Sequence, residues 1–228
     1  MKTIFDFSES LERIETILKS NGEQYRKYPY IPEDDVIKSC RGCFVDGIVL
    51  ISRLYFRATD VDFLILAKLY DAYINEARTI LLDHPLCRKV LVHGNTISSV
   101  FNIGTEDYMN SIIEIAGKMI SLPNVINYKA GRRTNPYLGN VCAMETGFLF
   151  AKWMPTGTEF FGGMMNRAEQ WIAKPSEKEE LSGLFISDKV HVALKQSYKD
   201  LFYKTEMTGL FHGSVENRGM LQWVEEQK

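Results

Sequence analysis

The chain has 228 residues, 45% of them hydrophobic and 25% charged, with a formal net charge of −2. That length suits one well-buried domain or two small ones, and the composition is that of a soluble globular protein rather than a disordered one. The charge gives no electrostatic case for nucleic acid or an anionic membrane as a partner.

No apolar run approaches the length of a membrane-spanning helix, and the acidic, amphipathic N-terminus is unlike a signal peptide, which implies retention in the cytoplasm. Residues 8–20, SESLERIETILKS, put Leu11, Ile14, Ile17 and Leu18 on one face behind Ser8, which predicts a short amphipathic helix. A polar, proline-bearing connector follows. Residues 43–54, CFVDGIVLISRL, form a near-continuous apolar run interrupted by Asp46 and Gly47, the pattern of a central strand buried on both faces. A long helix is signalled over about residues 60–83, capped by Asp60 and stopped by Pro85. Residues 88–103 read as a hairpin turning at Gly94 and Asn95, both tolerant of positive φ.

A helix over residues 106–122 is capped by Thr105, and a polar segment then runs from Pro123 to Asn140, with Arg132 and Arg133 at a solvated tip. A strand over 141–153 completes the order strand–helix–strand–strand–helix–strand, the ferredoxin-like βαββαβ arrangement. Beyond it come a short helix over GGMMNRAEQWIAK, a strand over GLFISDKV, a helix capped by Asp188 and two closing strands that end at MLQWVEE. The reading is one α+β domain over 39–228 with extra C-terminal strands and helices, preceded by a helical extension and connector over 1–38.

Cys40 and Cys43 have the spacing of a redox or zinc pair, but no second pair and no nearby histidine completes a site. Two reduced thiols at the start of a buried strand is the favoured reading. The histidines show no ligand spacing, and phosphate-loop, nucleophile-elbow and dinucleotide fingerprints are absent. Asp46 is different, because a carboxylate inside an apolar strand must be paired or bound to a cation. It is a candidate metal or phosphate-site residue; the alternative is a salt bridge to an arginine such as Arg53. Asn95 taken alone is an ordinary turn residue.

Four stretches carry a resemblance: FVDGIVLIS (44–52), VHGNTISSVF (92–101), EFFGGMMNRAEQW (159–171) and LFISDKVHVAL (184–194). On these the chain, over about residues 40–228, resembles the class III nucleotide cyclases, which include adenylate and guanylate cyclases and the bacterial pyrimidine cyclases of the Pycsar antiphage type. The resemblance implies that Asp46, two residues after Phe44, is a ligand of Mg²⁺ or Mn²⁺. Gly47 follows at once, where the family wraps the triphosphate, with Val49 at the family's glycine position. The family's Gly-Asp hairpin becomes Gly94-Asn95, so Asn95 is a neutral partner in the metal cage. Leu91 stands where adenylate cyclases carry a base-reading lysine, which excludes adenine reading by that residue.

In the third stretch Glu159 matches the base-reading acid, Phe161 the aromatic and Asn166 the ribose contact. Gln170 replaces the cation that steadies the α-phosphate. The substrate implied is a nucleoside triphosphate, and the active site is shared across a head-to-tail pair with a second copy or a related chain. Three readings stay open: an active, divergent cyclase of the pyrimidine antiphage type; a cyclase-like nucleotide sensor or partner subunit without turnover; and a structural α+β module. The substitutions at Asn95 and Gln170 favour the second.

Overall fold

The computed structural model describes residues 6–56, 62–104, 107–131, 138–173 and 182–227. Asp60, Thr105, Arg132 and Arg133 lie outside them. From the N-terminus, α1 (Phe7–Leu18) is capped by Asp6, whose carboxylate accepts the N–H groups of Ser8 at 2.9 Å and Glu9 at 3.1 Å; the cap expected at Ser8 falls two residues earlier. No residue of α1 is buried. The expected connector is instead part of the body. β1 (Tyr25–Tyr28) pairs in parallel with the start of the next strand, and α2 (Asp34–Lys38) helps to seat Ile31 and Ile37 in the core.

β2 (Gly42–Phe56) is the central strand, and its β-branched and apolar run is buried on both faces as the sequence predicts. α3 (Phe63–Leu82) starts at Asp62, which caps the N–H groups of Leu64 and Ile65. β3 (Cys87–His93) and β4 (Thr96–Asn102) form the expected hairpin, with Gly94 at φ +57°. Next come α4 (Tyr108–Lys129), β5 (Leu138–Met154), β6 (Gly157–Phe161) and α5 (Gly163–Ala173). The chain ends with β7 (Gly183–Ser187), α6 (Asp188–Ala193), α7 (Gln196–Lys199), β8 (Phe202–Lys204), β9 (Leu210–Gly213) and α8 (Arg218–Glu226). Sheet order is β3-β4-β2-β5-β7-β9-β8, with β1 against β2 and β6 against β5. The first six elements of the core thus have the ferredoxin-like order.

Alternation along β2 sends Ile48, Leu50 and Leu54 to the face under α3 and α4, and Val45, Val49 and Ile51 to the face under α2 and α5. Three expectations need correcting. α4 does not stop at Pro123 but runs on to Lys129. Proline has no N–H, so the carbonyl four residues earlier, on Met119, loses its helical partner. Asn140 of β5 supplies the replacement: its Nδ2 donates to the Met119 carbonyl at 2.7 Å and to the Tyr73 hydroxyl at 3.1 Å. The segment MLQWVEE, expected as strand, lies in α8, capped by Asn217. The helix expected from Asp188 is two short ones, and the first is capped by Ser187. Among the described residues no helix is long and apolar enough to cross a membrane.

Cys40 closes α2, its thiol donating to the Ile37 carbonyl at 3.2 Å, while Cys43 is buried in β2. Burial pushes the Cys43 thiol up to about 11. The reactive and metal-binding form is the thiolate, so Cys43 stays neutral at physiological pH and becomes a thiolate only as pH rises towards 11. Native protein at pH 8 should therefore leave Cys43 unmodified by a thiol reagent, with labelling emerging in strongly alkaline buffer. Rapid labelling of Cys43 at pH 8, read by mass spectrometry, contradicts this. Asn140→Ala strips buried donors from a proline-broken helix and should cost about 2 to 3 kcal/mol in urea unfolding. A loss below about 0.5 kcal/mol, the range of neutral surface changes, would assign the continuity of α4 to something else.

Candidate functional site

The hairpin tip is clamped to the far end of β2. The Asn95 carbonyl accepts the Leu54 N–H at 2.8 Å, and its side-chain Nδ2 donates to the Leu54 carbonyl at 2.8 Å. Asp46 sits eight residues earlier in the same strand, which is about 26 Å at the rise of a strand. The structure therefore does not bring Asp46 and Asn95 together. Asp46 lies across from Phe148 of β5, and its charge, after burial, helps to raise the phenol of Tyr108 at the start of α4. The described residues give the Asp46 carboxylate no hydrogen bond or ion pair. Arg53 does not reach it, because that guanidinium donates to the Ala173 carbonyl at the end of α5.

Gly47 is not a turn either. It pairs with Gly147 of β5 and Asn102 of β4, and its carbonyl accepts the Thr146 hydroxyl at 3.1 Å. A backbone flanked by strands on both sides cannot wrap a triphosphate. Phe44, further towards the start of β2, is half-exposed and packs against Phe150 with ring centroids 5.3 Å apart. Among the described residues no three His, Cys, Asp or Glu side chains converge on a cation. With one amide spent on Leu54 and Asp46 at the other end, they do not fit the paired-carboxylate site for Mg²⁺ or Mn²⁺.

A second cluster does assemble. Glu159 of β6 forms an ion pair with Lys89 of β3 at 3.0 Å, and its carboxylate also accepts the Thr156 hydroxyl at 3.2 Å. The Lys89 ammonium donates to the Thr158 carbonyl at 3.0 Å as well. Both side chains are mostly shielded, at 20% and 26% exposure, so this pair is screened less than a surface pair. Beside it Arg88 holds α2, bonding Glu33 at 3.0 Å and the Pro32 carbonyl at 3.1 Å, while the Thr158 hydroxyl donates to Asp34 at 2.8 Å. Three strands separate β3 from β6 in the sheet, so the sheet curls to let them meet.

Lys89 is the member of this cluster that counting along the sequence misses. Leu91, four residues before Asn95, shares a strand face with Lys89, and the irregular pairing between Cys87 and Lys89 offsets that strand. A lysine therefore does reach the acid, from two residues further back. Phe161, half-exposed, ends β6 two residues after Glu159. α5 buries Met164, Ala168 and Ile172 and leaves Asn166 and Gln170, one helical turn apart, on its open side. Arg167 is tied down instead, its Nε 3.3 Å from the buried carboxylate of Glu145.

No family model matches the sequence. The chain is 28% identical to a uridylate cyclase from Gulbenkiania mobilis, in an alignment over 261 residues that takes in 98% of this chain and 97% of the other. The guanylyl cyclase Cya2 superposes with a TM-score of 0.57 at 12% identity, over 78% of this chain and 96% of that one. The adenylyl cyclase CyaB from P. aeruginosa gives 0.57 at 14% identity, over 77% and 97%. A bacterial light-regulated adenylyl cyclase gives 0.56 at 13% identity, over 81% and 98%. The chain has the catalytic-domain fold of the class III nucleotide cyclases and is similar over nearly its whole length to a uridylate cyclase.

Proposed function

We propose that this chain is a divergent nucleotide cyclase of the pyrimidine type, working on UTP at a site completed by a second chain, homologous or identical. The observation that supports this reading is the Lys89–Glu159 ion pair, whose acid stands where the resemblance puts the base-reading carboxylate. A uracil edge offers an N3–H donor beside the O4 acceptor. Glu159 accepts from N3–H while Lys89 donates to O4, and Phe161 and Leu91 supply apolar flanks. Asn166 holds the ribose, and Gln170 offers a neutral amide to the α-phosphate where the family has a cation.

In the reaction the ribose 3′-oxygen bonds to the α-phosphorus as the bond to the β-phosphate oxygen breaks. The hydroxyl proton passes to solvent, and pyrophosphate leaves. The 3′,5′-cyclic nucleotide would be released in the cytoplasm as a signal in antiphage defence. One observation favours a second reading, a chain that binds nucleotide without turnover as a sensor or partner subunit. Asn95 is spent on Leu54, Asp46 is remote from the hairpin, and the described residues hold no cluster of three metal-ligating side chains.

Incubation of the protein with each of the four nucleoside triphosphates and Mn²⁺, followed by chromatography for 3′,5′-cyclic product, separates the two. Cyclic UMP is expected, and Glu159→Gln and Lys89→Met should each lower its formation by about 10- to 100-fold, the cost of a lost charged hydrogen bond. UTP-dependent thermal stabilisation without product selects the second reading. Neither product nor stabilisation sinks both.

A further inference from the structure

Among the described residues, α1 and one groove of the body are both unpartnered, and their chemistry matches. α1 presents Phe7, Leu11, Ile14 and Leu18 at spacings of four, three and four residues, a seam suited to packing against other helices, and none of the four is buried. On the body, α3, α4 and α8 enclose a groove of about 610 Å³ lined by Leu69, Ala72, Leu122, Val125, Ile126 and Met220. Lys68, Lys129 and Glu76 also line it. The helix and its caps carry Asp6, Glu9, Glu12 and Glu15 against Arg13 and Lys19, so an acidic helix faces a groove with an excess of lysine.

Reach decides which groove is filled. β1 begins beside Gly42, at the start of β2, whereas the groove opens towards the other end, where Phe56 packs on Tyr70 with ring centroids 4.9 Å apart. The two ends of β2 are about 46 Å apart. The tether from Lys19 to Gln24 contains the turn Gly22–Gln24 and spans about 16 Å with that turn kept. Only the first turns of α1 could then meet even the near end of their own groove. In a two-fold pair with antiparallel long axes, the start of one β2 lies beside the end of the other. We infer that α1 of each copy docks by its apolar seam into the α3–α4–α8 groove of a second copy. This rests on the pairing of two copies and not on turnover.

The test mixes full-length chains, one carrying Ile14→Cys and the other Ala72→Cys, under oxidising conditions without nucleotide. Both positions are on helices with solvent-facing side chains, so neither change disturbs the core. The expected result is a disulfide-linked dimer in the mixture, with the bond between residues 14 and 72 identified by peptide mapping. Leu11→Asp, which keeps the fold by circular dichroism, should raise the dimer dissociation constant at least about tenfold in light scattering. The inference is overturned by a bond between residues 14 of two copies, by no bond, by dimerisation that Leu11→Asp leaves unchanged, or by a bond between residues 14 and 72 within a chain that is made to carry both substitutions. Because no readout involves nucleotide, a failed cyclase assay leaves this result standing, and the reverse holds too.

Discussion

Two hydrogen bonds between Asn95 and Leu54 set the register on which the rest of the site depends. They fasten the tip of the β3–β4 hairpin to the C-terminal end of β2. Because side chains alternate along a strand, that register decides which residues of β2 face α3 and α4 and which face α5. It also decides what stands opposite the hairpin tip. An aspartate at position 95 would keep the backbone bond but lose the amide donor to the Leu54 carbonyl. Asn95 therefore contributes to architecture, holding the hairpin tip against β2.

Much of the fold was legible because its signals are local. The apolar run of β2, the Gly94-Asn95 turn and the spacing of Leu69, Tyr73 and Ala77 on α3 each specify their element without distant partners. In two places where the reading failed, a distant residue intervened. Pro123 signals a helix end, and only Asn140, seventeen residues on, makes continuation tolerable. Residues 25–38 look like a connector until Asn102 accepts the Ile31 N–H at 2.7 Å and returns an amide to its carbonyl at 2.9 Å. MLQWVEE is apolar enough to be taken for a closing strand, yet Met220, Leu221, Trp223 and Val224 follow the helical period, and the cap at Asn217 starts a helix there.

The site divides the same way. Glu159, Phe161, Asn166 and Gln170 are close in sequence, and the β6–α5 turn keeps them close in space. Asp46 is an odd charge in a strand, which makes it conspicuous, but pairing it with Asn95 required a register that composition does not contain. The strand runs on to Phe56, and the hairpin lies beside that end. Lys89 was hidden for a related reason, since its partner is seventy residues away and reached only through the curl of the sheet. The Lys89–Glu159 corner is thus built within one chain, while Asn166 and Gln170 of α5 look outward, the arrangement the proposed two-chain site would use.

The most direct measurement is a structure of the protein with UTP or a non-cyclisable analogue. Uracil N3 is expected within hydrogen-bonding distance of the Glu159 carboxylate and O4 within that of the Lys89 ammonium, with the triphosphate directed towards the Gly94-Asn95 hairpin of a second copy. A triphosphate seated at Asp46 and Gly47, or a base that leaves the Lys89–Glu159 pair untouched, would contradict this.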